Sequence, residues 1–383
     1  GCCNDASGVG SFVGGGECNR STGTCTTIVG GEKNENGDCF AFIGGGQCNC
    51  TPEGSACWGV IGGGLCNNVG YEYDAVLGGC GHYTGVNQSA PGGSVIVGGF
   101  ANNVDCNSFI GGGKQNVAGN DGCWAVVVGG CKNTANYQGS SIVGGCCNTA
   151  RGCCSFIGGG RLNTLTTGTQ YTTIGGGCCN TVAGTASASF IGGGDCNFAS
   201  CYNTFIGGGY GLSARNVFAG VAAGCNNRAG GQFSFVGGGS TGLATGNYSS
   251  VGGGQSNCAT ANHSTVGGGF SNDVQTNCST IAGGDLSQIS TGTHGFIGGG
   301  EGNCVEANYG TVGGGCGNTA SGSNATLAGG EGNIAEGSTS FVGGGNANHA
   351  CGDYSAVGGG QFNRLPAASY AFIGGGASNC SSG

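Results

Sequence analysis

The sequence predicts an all-β fold, a parallel β-solenoid or β-roll of about 24 coils with a 15-residue period and two short strands per coil. Three observations carry that expectation. Of 383 residues 97 are glycine and only 3 are proline. Glycine interrupts any helix every few residues, at about 1 kcal/mol each, while collagen would need glycine at every third position and abundant proline. An apolar-then-glycine block recurs 24 times, and 15 of the 23 spacings between copies are fifteen residues. The chain is also 37% apolar, too much for a disordered glycine-rich linker.

Each coil is numbered here from the residue after its Ile or Val, so that coil origins fall at 14, 29, 44 and onward to 374. The residue before the origin is Ile, Val or Leu in all 24 copies, among them Val13, Ile43, Ile110, Ile191, Val266, Leu327 and Ile373, and must face a dry interior. Two residues earlier the side chain is small and often serine (Ser11, Ser108, Ser234, Ser355). A strand's period of two puts it on the same face. The residue between them therefore points outward. It is phenylalanine in ten copies (Phe12, Phe42, Phe109, Phe156, Phe190, Phe205, Phe235, Phe296, Phe341, Phe372) and threonine in six.

Glycine then fills the origin in 16 copies, plus one in 23 and plus two in all 24. Invariance at plus two calls for a positive φ or an approach too close for a Cβ. Plus five is asparagine in 20 copies, including Asn19, Asn67, Asn148, Asn227, Asn303 and Asn379. It reads as a side-chain ladder closing a tight corner. Plus seven is apolar in 19 copies (Ala118, Val182, Ala259, Val305), which makes the second strand. Longer copies place their extra residues between plus seven and the next serine, so the other corner is the tolerant one.

Stacked at about 4.8 Å per coil, the coils would span on the order of 115 Å. Both ends fall inside a coil, so residues 1–383 are read as a single continuous array, a window of a longer fibre without caps. A core one Ile wide is thin, and the Phe/Thr stripe beside triple glycine would be a large exposed apolar patch. The expected partner is the chain itself, as a homo-oligomer such as a trimer or as a filament. The alternative is that the Phe side chains fold over one sheet of a single wider solenoid.

Twenty-eight cysteines are too many for a reducing cytosol unless they bind metal. No Cys-x-x-Cys occurs, and in the adjacent pairs Cys146-Cys147, Cys153-Cys154 and Cys178-Cys179 neighbouring strand side chains are expected to diverge. No metal is therefore expected. Cysteines at equal positions in consecutive coils, Cys48 with Cys66, Cys131 with Cys146 and Cys179 with Cys196, are candidates for rung-to-rung or interchain disulfides.

The four histidines, His82, His263, His294 and His349, are scattered and fit no catalytic or paired-ligand motif. His82 stands at the asparagine position of its coil. No enzyme activity, catalytic residue or cofactor is expected. With 9 basic residues and a net charge of −9 the chain offers little to nucleic acid, and no apolar run in this segment is long enough to span a membrane. Eight Asn-x-Ser/Thr sequons occur; Asn247, Asn262 and Asn277, on the loop side, are the first to test for glycosylation.

Copies such as Asn318-Thr319-Ala320-Ser321-Gly322 followed by Leu327-Ala328-Gly329-Gly330 carry a resemblance. So does Gly246-Asn247-Tyr248-Ser249-Ser250-Val251-Gly252-Gly253-Gly254. They are similar to the head repeats of trimeric autotransporter adhesins and of related phage and giant-virus fibre proteins. The resemblance implies a left-handed parallel β-roll, usually trimeric, on a cell or virion surface, with a host-surface receptor as a further partner. The triple glycine and the 28 cysteines depart from those repeats. The expected function is a structural, extracellular fibre subunit, an adhesive shaft or spacer. The alternative is an ice-binding or other ligand-binding solenoid using the flat Phe/Thr face, with the threonine ladder Thr265, Thr280, Thr311 and Thr326.

Overall fold

The computed structural model describes residues 1–54, 56–85, 92–119, 121–366 and 369–381. Every strand is two residues long and every pairing is parallel, because each coil climbs by one rung and meets only its neighbours. Two compact units divide the chain, Gly1–Cys196 and Asn197–Gly383. Among the described residues the first holds twelve coils with paired strands running from Asp5–Ala6 to Phe190–Ile191, and the second twelve from Phe198–Ala199 to Phe372–Ile373. No helix forms among the described residues, and none is long and apolar enough to cross a membrane.

In each unit one sheet is built from the Ile/Val strands and the other from the plus-six and plus-seven residues. In the first unit Ile142, Ile157, Ile174 and Ile191 stack in register. In the second Val251, Val266, Ile281 and Ile297 do the same. These side chains and the facing plus-seven row (Ala150, Leu165, Val182; Ala259, Val274, Ile289) are fully buried. Most serines three before the origin are buried too, and several donate to the carbonyl three residues back that closes the tolerant corner, as Ser234 does to Gly231 O and Ser249 to Gly246 O, both at 2.7 Å. A residue without the hydroxyl would leave that carbonyl only its longer bond from the backbone amide, at 3.3 Å in both coils.

A third ladder supplements the two strands expected from sequence. The plus-three residues pair singly from coil to coil, as in Glu17, Glu32 and Gln47. Two backbone reversals flank the strands. At plus four φ is positive whatever the side chain (Cys18 55°, Lys33 53°, Leu162 57°, Phe362 55°). Four before the origin it is positive again (Phe40 55°, Trp58 57°, Tyr248 57°). Strand amides donate to the following coil, as Phe156 N does to Thr172 O at 2.9 Å. The reversed residues donate backward, as Cys179 N does to Arg161 O at 2.9 Å and Tyr248 N to Gln232 O at 2.8 Å. Each rung is thus held from both sides, and few backbone groups are left for water to satisfy.

The glycine at plus two has both of the properties that its invariance allowed. Gly160 has φ +87°, and a Cβ on it would lie 2.0 Å from Gly177 O. The asparagine at plus five fixes that corner. Asn163 Nδ2 donates to Gly159 O of its own coil and to Gly177 O of the next, both at 2.9 Å, while its Oδ1 accepts from Asn180 N at 3.0 Å. Asn333 repeats the arrangement in the second unit. Where leucine replaces asparagine, at Leu212, the plus-two glycine Gly209 sits at φ +145° instead of near +90°.

His82 also stands in for asparagine. Its Nδ1 accepts from Asn102 N at 3.2 Å, and its own amide donates to Asn67 Oδ1 at 3.1 Å. Burial pushes its pKa below the ordinary 6.5. The unfolded chain then binds the proton more readily than the folded one, so stability rises with pH through this range and is lost as pH falls below 6.5. Protonation also converts Nδ1 from acceptor to donor, against Asn102 N. His82→Asn is expected to flatten this acid limb, with the gain in denaturation midpoint over the parent chain growing as pH drops. An offset that stayed constant with pH would contradict it.

Candidate interaction surface

The outward face of the Ile/Val strands collects the exposed apolar side chains. All ten phenylalanines two before the origin are exposed, from 36% at Phe109 to 71% at Phe372. Each stands over glycine: the origin two residues on is glycine in all ten of these coils. A Cβ on Gly14, Gly44, Gly158 or Gly298 would lie 3.2–3.6 Å from the ring's Cε1. In the eight coils whose origin has a side chain, the partner is Thr, Ala, Val, Ser or Gly and never Phe. Here the origin itself is exposed, as at Val29, Leu77 and Val143. Large and small residues alternate across the two rows, which keeps the face even. The rings lie flat over their own coil's glycine and do not turn into a core.

At the corner leading into this strand runs a second exposed row that sequence reasoning missed. Four residues before the origin, 13 of 24 coils carry Phe, Tyr, Trp or His. Register stacks them. In the first unit Phe40, Trp58 and Tyr73 lie 5.4 and 5.2 Å apart, centroid to centroid, at 7° and 3°. In the second Phe218, Phe233, Tyr248 and His263 form a continuous column at 4.8–5.0 Å, with Tyr354 on Tyr370 at 5.0 Å. Holding a non-glycine residue in the left-handed region costs about 1–2 kcal/mol, and stacking of a pair returns about 0.5–1.5 kcal/mol. The missed signal was a periodic aromatic just before the buried serine, obscured by the eleven coils with other residues and by insertions upstream.

The cysteines fall elsewhere. Cys48 and Cys66, and Cys179 and Cys196, occupy plus four of adjacent coils, and Cys131 and Cys146 occupy plus three. The structure brings each pair together, and all six carry free thiols. The disulfide that is formed joins Cys106 and Cys123, with Cα atoms 4.7 Å apart. It is a rung-to-rung bond outside the candidate pairs, five residues before the origin, on the tolerant corner.

The expectation that adjacent cysteines diverge is overturned. Their sulfurs lie 3.4 Å apart in Cys146-Cys147, 3.6 Å in Cys153-Cys154 and 3.2 Å in Cys178-Cys179. The second cysteine of each pair has φ between 51° and 57°, and this left-handed turn swings its side chain back beside the first. Strand alternation does not apply at a reversal. The sequons Asn247, Asn262 and Asn277 are exposed and form a short ladder of their own. Asn247 N donates to Asn262 Oδ1 at 2.9 Å and Asn262 N to Asn277 Oδ1 at 3.0 Å.

Compared with models of protein families and with curated proteins, the chain matches none.

Proposed function

We propose that this protein is a structural subunit of an extracellular or surface fibre, a shaft or spacer whose coils associate with further copies of the chain through the aromatic face. The observation that carries this reading is the pairing of exposed phenylalanine with origin glycine, which builds an even apolar face where a monomer gains nothing from one. At about 200 Å² per ring, the five rings of each unit, some 40% exposed, offer roughly 400 Å² per unit, about half of what one partner contributes to a standard interface. The strained aromatic column beside them adds to it. Glycine at plus one supports the same reading. A Cβ at Gly15, Gly98, Gly176, Gly253, Gly283 or Gly359 would meet nothing within 4 Å, so at these positions, unlike Gly45, Gly63, Gly159, Gly208 and Gly344 where φ is positive, the single chain supplies no steric reason for glycine. A closely approaching neighbour would.

Sedimentation of the recombinant chain tests this. Association at micromolar concentration is expected, weakened at least tenfold in Phe235→Ser/Phe296→Ser with circular dichroism unchanged. A parent chain that stays monomeric would overturn the proposal. The ice-binding alternative rests on threonines in register, Thr265 beside Thr280 and Thr311 beside Thr326. Phe296 stands between the two pairs, breaking the flat lattice such a face needs. Strong thermal hysteresis would reverse the ranking.

A further inference from the structure

The convergence of adjacent cysteines has a chemical consequence. Cys178 and Cys179 occupy plus three and plus four of one coil, and Asp195 and Cys196 the same positions of the next. Cys178 pairs in register with Asp195. The Cys179 and Cys196 thiols touch. Along each rung the atoms converge, Cys178 Sγ to Cys179 Sγ at 3.2 Å and Cys196 Sγ to Asp195 Oδ1 at 3.2 Å. Both plus-four cysteines sit at φ 57°, the reversal that turns their sulfurs toward their neighbours.

We propose that Cys178, Cys179, Cys196 and Asp195 form a binding site for a thiophilic divalent cation of the zinc and cadmium type. A tetrahedral ion with metal–sulfur bonds of about 2.3 Å spans sulfurs roughly 3.8 Å apart, so the pair at 3.2 Å needs to open by about 0.6 Å. Cys178, Cys179 and Asp195 bring their ligand atoms within 4.8 Å of one another, and Cys196, beside Asp195 and Cys179, would close in as the fourth donor, a sulfur-rich set that favours zinc-type ions over calcium or magnesium. Binding releases one proton from each thiol to solvent, with no change of oxidation state. Arg161, the register neighbour of Cys178 on the preceding coil, offsets part of the excess negative charge. Cys178 and Cys179 are half-buried and Cys196 is exposed, so an ion reaches the site from solvent.

Two other groups bring possible ligand atoms within 4.8 Å of one another, Asp38/Cys39/Cys57 and Glu336/His349/Cys351. In the first, both Asp38 oxygens are held by backbone amides, those of Cys39 at 2.7 Å and of Ala56. The second offers a single sulfur, and its Glu336 pairs with His349 at 2.9 Å.

Native mass spectrometry of the full reduced chain loaded with Zn²⁺ is expected to count one ion fewer in Cys179→Ser than in the parent. Cys258→Ser, in the other unit, should hold the parent's number. In Cd²⁺ titrations followed by thiolate charge-transfer absorption, Asp195→Asn is expected to bind at least tenfold more weakly, as loss of a supporting oxygen generally costs, with the fold intact by circular dichroism. Equal ion counts in Cys179→Ser and the parent would overturn the site. Unchanged Cd²⁺ affinity in Asp195→Asn would overturn the carboxylate's part, and peptide mapping that found Cys179 bonded to Cys196 in unreduced protein would replace the site with a disulfide.

Discussion

Gly177→Ala is expected to destabilise the first unit by on the order of 4 kcal/mol, whereas Gly176→Ala, one residue away, leaves stability within about 0.5 kcal/mol or raises it slightly. Three consecutive glycines here have three different surroundings. A Cβ on Gly175 would meet Gly192 O at 2.3 Å, yet alanine is accommodated at this position in other coils, at Ala222, Ala282 and Ala328. A Cβ on Gly176 would meet nothing within 4 Å. At Gly177 φ is +89°, and a Cβ would lie 2.1 Å from Gly194 O and 2.8 Å from Asn180 Nδ2. Those atoms cannot retreat, since Gly194 O accepts from Cys178 N at 2.9 Å and from Asn180 Nδ2 at 2.9 Å. Substitution there strains the backbone and breaks two links between coils. Denaturant unfolding of the two variants checks it, and equal midpoints would refute the steric assignment. If Gly176→Ala keeps the midpoint but weakens association, the plus-one row acts between chains, as the proposed fibre requires.

Asn163→Ala is the second large effect, expected at about 3–5 kcal/mol. Gly159 O and Asn180 N lose their partner at once, and Gly177 O keeps only its bond from Arg161 N. Each buried group left unpaired costs about 1–3 kcal/mol, softened where water enters. Asn163→Asp keeps the acceptor but loses both donations, and sets a carboxylate against two carbonyl oxygens, so it is expected to be as damaging despite its matching shape. Because each coil touches only its neighbours, the loss should split the cooperative transition near this coil and not lower the whole array uniformly. Hydrogen exchange resolved by coil distinguishes the two, and uniform loss of protection would argue against a nearest-neighbour stack.

Much of the coil was legible in the sequence because repetition averages out noise. One residue says little about burial, but Ile, Val or Leu in every copy before the origin defines an interior row, and the alternation across Ser11, Phe12 and Val13 gives the strand its two faces. The tight corner was readable for the same reason, as asparagine and glycine recur at fixed offsets. Reasoning failed at the two left-handed reversals. Lysine, leucine, phenylalanine and cysteine all occupy plus four, so composition gives no sign of a positive φ there, and strand alternation was carried past the point where it applies. That single omission hid the convergence of Cys178 and Cys179 and the column through Tyr248.

The sequence by itself determined the class of fold, the period, the buried rows and the outward phenylalanines, because those follow from which side chains avoid water and from how often they recur. Only the tertiary structure decided which residues of different coils meet. The register of one rung on the next sets ring on ring at Phe233 and Tyr248 and places Asp195 beside Cys178. It also brings Cys106 to Cys123, a pair that equal position alone did not single out. The reason is physical: side-chain burial is encoded within a coil, whereas the turn of a reversed peptide and the offset left by each insertion are settled only when the backbone hydrogen bonds between coils form.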